Sequence, residues 1–187
     1  VTVGAVTRVA VVALAGAALA GCATVQRALE SPEARQEREQ RVAQTVAKME
    51  AVVKQYLGVR YRLGGMDRRG VDCSGFTKRV YEAVGITLPR RAEDQYGAGR
   101  AVKTLQYGDL LFYNTKRLAP HGMCLFSVMC PTADVPWLYG LTHVGLYTGA
   151  GRMVHAAVSR GVGYADLEDG YWGPRSIGAR RFLEDFD

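Results

Sequence analysis

The segment THVGLYTGAGRMVHAAV, residues 142–158, decides how the chain folds. Two runs with alternating apolar residues flank TGAGR, and a glycine-bearing turn between such runs predicts a β-hairpin. If Thr148 pairs with Arg152 across a three-residue loop, paired residue numbers add to 300. His155 then lies opposite Gly145, and His143 opposite Ala157. Both imidazoles share one face of the sheet as diagonal neighbours, about 7–8 Å apart between backbones. A two-residue loop would make the sum odd and put the rings on opposite faces. Glycines at 149 and 151 favour the longer loop.

Outward from this hairpin, YGDLLFY (107–113) and GARRF (178–182) also read as strands. Upstream the pattern is helical. Ser31-Pro32-Glu33 has the build of a helix start, with Ser31 as the cap and Pro32 in the first turn. Val42, Val46, Met49, Val53 and Tyr56 recur at spacings of four and three, so they share one face of a helix that Gly58 ends. A second helix is expected from about Cys73 to Ala83, with Phe76, Val80 and Val84 on its apolar face and Gly85 as its stop. LPRRAEDQYGAG (88–99) has room for a short helical turn. Helices followed by strands with short connections predict an α+β fold with an antiparallel sheet.

The chain has 187 residues, 48% of them apolar, enough for a packed core, and a formal charge of +6. The positive charge is spread out, and no Lys/Arg cluster is interleaved with aromatics, so nucleic acid is not an expected partner. Residues 1–21 read as an export leader: Arg8, then a short apolar run. That run ends in Leu19-Ala20-Gly21-Cys22, which resembles a bacterial lipobox and marks Cys22 for acylation and membrane anchoring. Ala23 after the cysteine resembles sorting to the outer membrane. Residues 22–45 then form a tether and the beginning of the first helix, and 46–187 form the folded domain. Export makes a disulfide between Cys124 and Cys130 one option and two buried thiols the other.

Cys73 carries the chemistry. A helix N-terminus offers unpaired N–H groups and partial positive charge that favour a thiolate. Asp72 can cap that helix, and Ser74-Gly75 keep the approach small, so the Cys73 N–H could meet a developing oxyanion. A thiol nucleophile needs a base, and the shared face supplies two imidazoles: one to take the proton, the other to orient the first. The rival is zinc, held by Cys73, His143 and His155, or by His121, Cys124, Cys130 and His143. Neither set has the tight ligand pairs that usually build such sites.

YRLGGMDRRGVDCSGFTKRVY (61–81), LPRRAEDQ, GDLLFY, HVGLYTGAGRMVHAAVSRGV (143–162) and YWGPRSIGARRF (171–182) together resemble the NlpC-type family of cell-wall cysteine peptidases. The resemblance runs from about Val52 to Phe182. It implies a papain-like α+β fold with N-terminal helices packed on a central antiparallel sheet. It places the nucleophile at Cys73, the base at His143 and the orienting residue at His155. Tyr61 matches a position beside the nucleophile, and Asp72 and Ser74 match positions that shape the substrate cleft. The implied activity is cleavage of peptidoglycan stem or cross-link peptides, at D-Glu–diaminopimelate or D-Ala–diaminopimelate, inside the cell envelope and without metal or organic cofactor. A non-wall amidase or acyltransferase, and a non-catalytic wall-peptide binder, remain the alternatives. The segment 114–142, with Cys124, Cys130, Trp137 and His121, departs from the pattern and reads as an insertion: a lid, a cleft wall or a protein-docking surface.

Overall fold

The computed structural model describes residues 31–116 and 140–183. The leader, Cys22 and residues 117–139 of the insertion, with His121, Cys124, Cys130 and Trp137, lie outside them. Among the described residues three helices precede most of an antiparallel sheet. Helix α1 spans Pro32–Tyr56, α2 Cys73–Glu82 and α3 Ala92–Ala98. Strands β1 (Met66–Asp67) and β2 (Gly70–Val71) form a small ribbon just before α2. Strands β3 (Arg100–Ala101), β4 (Leu110–Tyr113), β5 (His143–Gly149), β6 (Arg152–Ala157), β7 (Gly161–Asp166) and β8 (Ser176–Arg181) make one sheet in the order β3-β8-β4-β5-β6-β7.

The caps act as their residue types dictate. The Ser31 hydroxyl accepts from the Ala34 N–H, and Pro32 opens α1. Met49, Val53 and Tyr56 of α1 are buried, with Val42 and Val46 half-covered against the same core. That face meets Phe76, Val80 and Tyr81 of α2, and both helices cover the sheet side formed by Leu110, Phe112, Val144, Leu146, Val154 and Ala156. The alternate residues Leu111, Tyr113, Met153 and Ala179 point the other way and are sealed by Trp172. β4 is therefore buried on both faces. Asp109, just before it, is clasped by Arg181 of β8 through two contacts of 2.8 Å, both groups buried.

The expected hairpin forms, by a route the turn residues alone did not show. Gly149 pairs with Arg152, so the loop is the two-residue Ala150-Gly151, with Ala150 at φ 49°. A bulge at Thr148 then absorbs one residue, and Tyr147 faces Met153 and Leu146 faces Val154. The register sum returns to its even value and both histidines keep one face. β7 escaped the sequence reading because Gly161 and Gly163 interrupt its alternation. Gly163 pairs with His155 in the structure.

Candidate active site

Cys73 occupies the first turn of α2, whose cap is Asp72. One Asp72 oxygen accepts from the Gly75 N–H at 2.7 Å, and the other from the Gly64 N–H at 2.8 Å. The first intrahelical bond runs from Phe76 N–H to the Asp72 carbonyl, so the N–H groups of Cys73 and Ser74 precede the helical ladder. They act on the thiol together with the Val144 N–H, and all three favour the thiolate. Burial is the larger effect, and with the Asp72 charge it pushes the Cys73 thiol above its ordinary range. Burial thus works against the thiolate that the helix start favours: a buried anion costs more than these amides return.

Asp72 and Ser74 are committed to the fold of this corner. Arg90 reaches both Asp72 oxygens, at 2.6 and 3.0 Å, and the Ser74 hydroxyl at 3.0 Å. Burial raises the Asp72 carboxyl, but hydrogen bonds from Arg90, Gly75 and Gly64 bring it, on balance, below the usual carboxylate range. Fully buried Gln95 donates to the carbonyls of Ser74 and Pro89 and accepts from Thr77. Gly75 serves packing: a Cβ there would run into the Gly65 carbonyl oxygen, so the space expected for substrate is taken by the 62–65 turn. Tyr61 bridges to Val71 and lies near enough to Cys73 that a charge there would raise its hydroxyl, which burial already raises.

The two imidazoles meet. His143 Nε2 and His155 Nδ1 lie 2.8 Å apart, both rings buried and mutually perpendicular. Burial pushes His143 down to about 3, helped by His155, and His155 down to about 4. At neutral pH the pair is therefore uncharged. The Trp172 indole lies almost parallel to the His143 ring at 5.7 Å and edge-on to His155 at 5.0 Å.

The histidines project to the sheet face that carries Tyr113 and Trp172, whereas α2 packs on the other. The halves join at the beginning of β5, where the N–H beside the sulfur belongs to Val144, the residue after His143. The neck of the 114–142 segment is adjacent: Thr115 N–H donates to the Thr142 hydroxyl at 2.8 Å, and Thr142 N–H to the Tyr113 carbonyl at 3.0 Å. Among the described residues no three His, Cys, Asp or Glu side chains converge as metal ligands.

A thiol at a helix start with a histidine pair on neighbouring strands is matched by one family model, NlpC/P60, over residues 58–126 and 136–181. The chain belongs to the NlpC/P60 family. The break in the match, 127–135, falls within the 114–142 segment. The murein DD-endopeptidase MepS/murein LD-carboxypeptidase of Escherichia coli K12 is 36% identical over 129 residues, which cover 67% of this chain and 57% of that protein. The bifunctional muramidase/DL-endopeptidase CwlT of Bacillus subtilis is 35% identical over 129 residues, covering 66% of this chain and 33% of that one. The chain thus spans a little over half the length of the first relative and a third of the second. Among solved structures, an NlpC/P60 family protein of Bacillus cereus superposes with a TM-score of 0.56 at 34% identity, over 74% of this chain and 40% of that one.

The sequence reading named neither Arg90, Gln95 nor Trp172. Arg90 and Gln95 lie in LPRRAEDQ, where nothing local shows that they turn back onto the start of α2. Trp172 follows Tyr171 at the head of YWGPRSIGARRF, where no spacing rule singles it out.

Proposed function

We propose that this NlpC/P60 protein is a cysteine peptidase of peptidoglycan, with Cys73 as nucleophile, His143 as base and His155 as the residue that orients it. The observation that carries the reading is the 2.8 Å contact between His143 Nε2 and His155 Nδ1, beside Val144, whose N–H favours the Cys73 thiolate. If His143 donates its Nε2 hydrogen to His155, its Nδ1 is left as an unprotonated acceptor for the thiol proton. Because the thiol is neutral at rest, transfer of that proton accompanies attack of sulfur on the peptide carbonyl. The carbonyl oxygen becomes an oxyanion beside the amides of the α2 start. Collapse breaks the C–N bond, the amine leaves with the proton from His143, and water hydrolyses the thioester by the same proton route.

The activities of the relatives support a wall peptide as substrate and divide over the bond, DD-endopeptidase and LD-carboxypeptidase in one and DL-endopeptidase in the other. Both D-Glu–diaminopimelate and D-Ala–diaminopimelate therefore belong to the proposal. The lipobox-like Leu19–Cys22 supports a lipid-anchored protein in the envelope, at the inner face of the outer membrane. Digestion of a defined cross-linked muropeptide, with product masses read beside a Cys73→Ser control, tests the reading. One stem or cross-link bond should be cut by the parent alone. No cleavage, or equal cleavage by the control, defeats it.

A further inference from the structure

A neutral histidine orienting a neutral histidine leaves an electrostatic deficit. When His143 takes the thiol proton, its imidazolium forms in a buried place with an uncharged partner on Nε2. Among the described residues, the titratable groups around the rings are Cys73 at the start of α2, Tyr113 on β4 and Asp169, whose charge acts on Tyr113. None of these provides His143 with the paired carboxylate that stabilises an imidazolium in a Ser-His-Asp arrangement. What His143 does have is the face of an indole, 26° from parallel and 5.7 Å away. The electron-rich face of an aromatic ring attracts a cation placed over it.

We propose that Trp172 is a positioning residue of the catalytic pair: its indole face holds the His143 ring in register with His155 and is the surface against which the imidazolium charge develops. The indole is built in. Trp172 is 7% exposed and touches Tyr113 at 4.8 Å and Tyr171 at 4.9 Å. The strap that carries it is fastened twice. Arg175 lies over the Tyr171 ring at 4.0 Å and donates to the Tyr171 carbonyl at 2.8 Å, while the Asn114 N–H donates to the Arg175 carbonyl at 2.9 Å. The same indole touches His155 edge-on, so one side chain fixes the mutual angle of both rings and keeps water from the hydrogen bond between them. The inference rests on the Cys73–His143 chemistry proposed above, but not on which peptide is cut.

The test compares Trp172→Phe, which keeps a flat π face, with Trp172→Leu and Trp172→Met, which keep apolar bulk without one. Two rates are read in each folded variant: alkylation of Cys73 by iodoacetamide at neutral pH, which needs no substrate, and kcat with KM on a muropeptide. The Phe protein should stay within about threefold of the parent in both rates, and the aliphatic proteins should lose roughly tenfold or more in alkylation and kcat with KM little changed. If one aliphatic variant fails to fold, the other carries the comparison. Parent-like rates in the folded aliphatic proteins overturn the proposal. So does a Phe protein as slow as they are, or a loss confined to KM, which would make Trp172 a substrate wall. Absence of muropeptide cleavage with the alkylation pattern intact would instead defeat the peptidoglycan reading alone.

Discussion

Around Cys73 the chain uses a carboxylate, a guanidinium and amides; around His143 and His155 it uses rings. Asp72, Arg90, Ser74 and Gln95 fix the helix start through hydrogen bonds of 2.6–3.0 Å, whose directions tolerate little displacement. Trp172, Tyr113 and the two imidazoles fix the base by packing, buried deeply enough to keep both histidines neutral. The difference suits the two tasks. The nucleophile must present one atom to a carbonyl, and a polar network can aim it. The base must give and receive a proton without holding it, and burial keeps its affinity low.

The largest effect that could break this comparison is removal of the sulfur. Cys73→Ser should lower muropeptide hydrolysis by on the order of a thousandfold or more with an unchanged melting temperature. Next comes the partner of the base. His155→Ala should cost roughly a hundredfold in kcat, whereas His155→Asn, whose amide oxygen can accept the same Nε2 hydrogen, should recover most of it. Equal losses in the two would show that His155 does not act through that hydrogen bond. On the nucleophile side, Asp72→Ala strips the cap and leaves Arg90 without its carboxylate. Urea unfolding should show a loss of about 2–3 kcal/mol, less than for a fully buried pair because Arg90 is part-exposed.

The pH dependences come last. Alkylation of Cys73 should have a midpoint above the ordinary thiol value of about 8.5. A midpoint well below it would mean that a thiolate–imidazolium pair exists at rest. The histidines act on stability with a definite sign. Their folded values, about 3 and 4, lie below the unfolded value of about 6.5, so the unfolded chain binds more protons in that window. The stabilisation is complete above about pH 6.5 and is lost as pH falls through about 4 for His155 and about 3 for His143. Between pH 7 and 5 the parent should lose on the order of 1–2 kcal/mol per imidazole. His155→Asn should lose less, and an identical acid profile would show that His155 is not held neutral by the fold.

Much of this was legible in the sequence because it is periodic or local. The α1 stripe, the caps at Ser31 and Asp72 and the hairpin of His143 and His155 each follow from residues a few positions apart. The bulge at Thr148 was not legible, since a two-residue loop with a bulge and a three-residue loop carry the same register. The burial that raises the thiol was not legible for a physical reason: the helix start is visible in DCSG, but the depth of burial is set by α1 and the sheet, far away in sequence. Arg90 meets Asp72 across 18 positions, and Trp172 meets His143 across 29. Both contacts exist only once the chain is folded.

The most direct measurement is mass spectrometry of the protein mixed with a cross-linked muropeptide and quenched in acid within milliseconds, beside Cys73→Ala. An acyl group on the Cys73 peptide of the parent, with a mass that names the bond cut and with no product from the variant, is the predicted result. Product released by Cys73→Ala at the parent's rate would contradict the account.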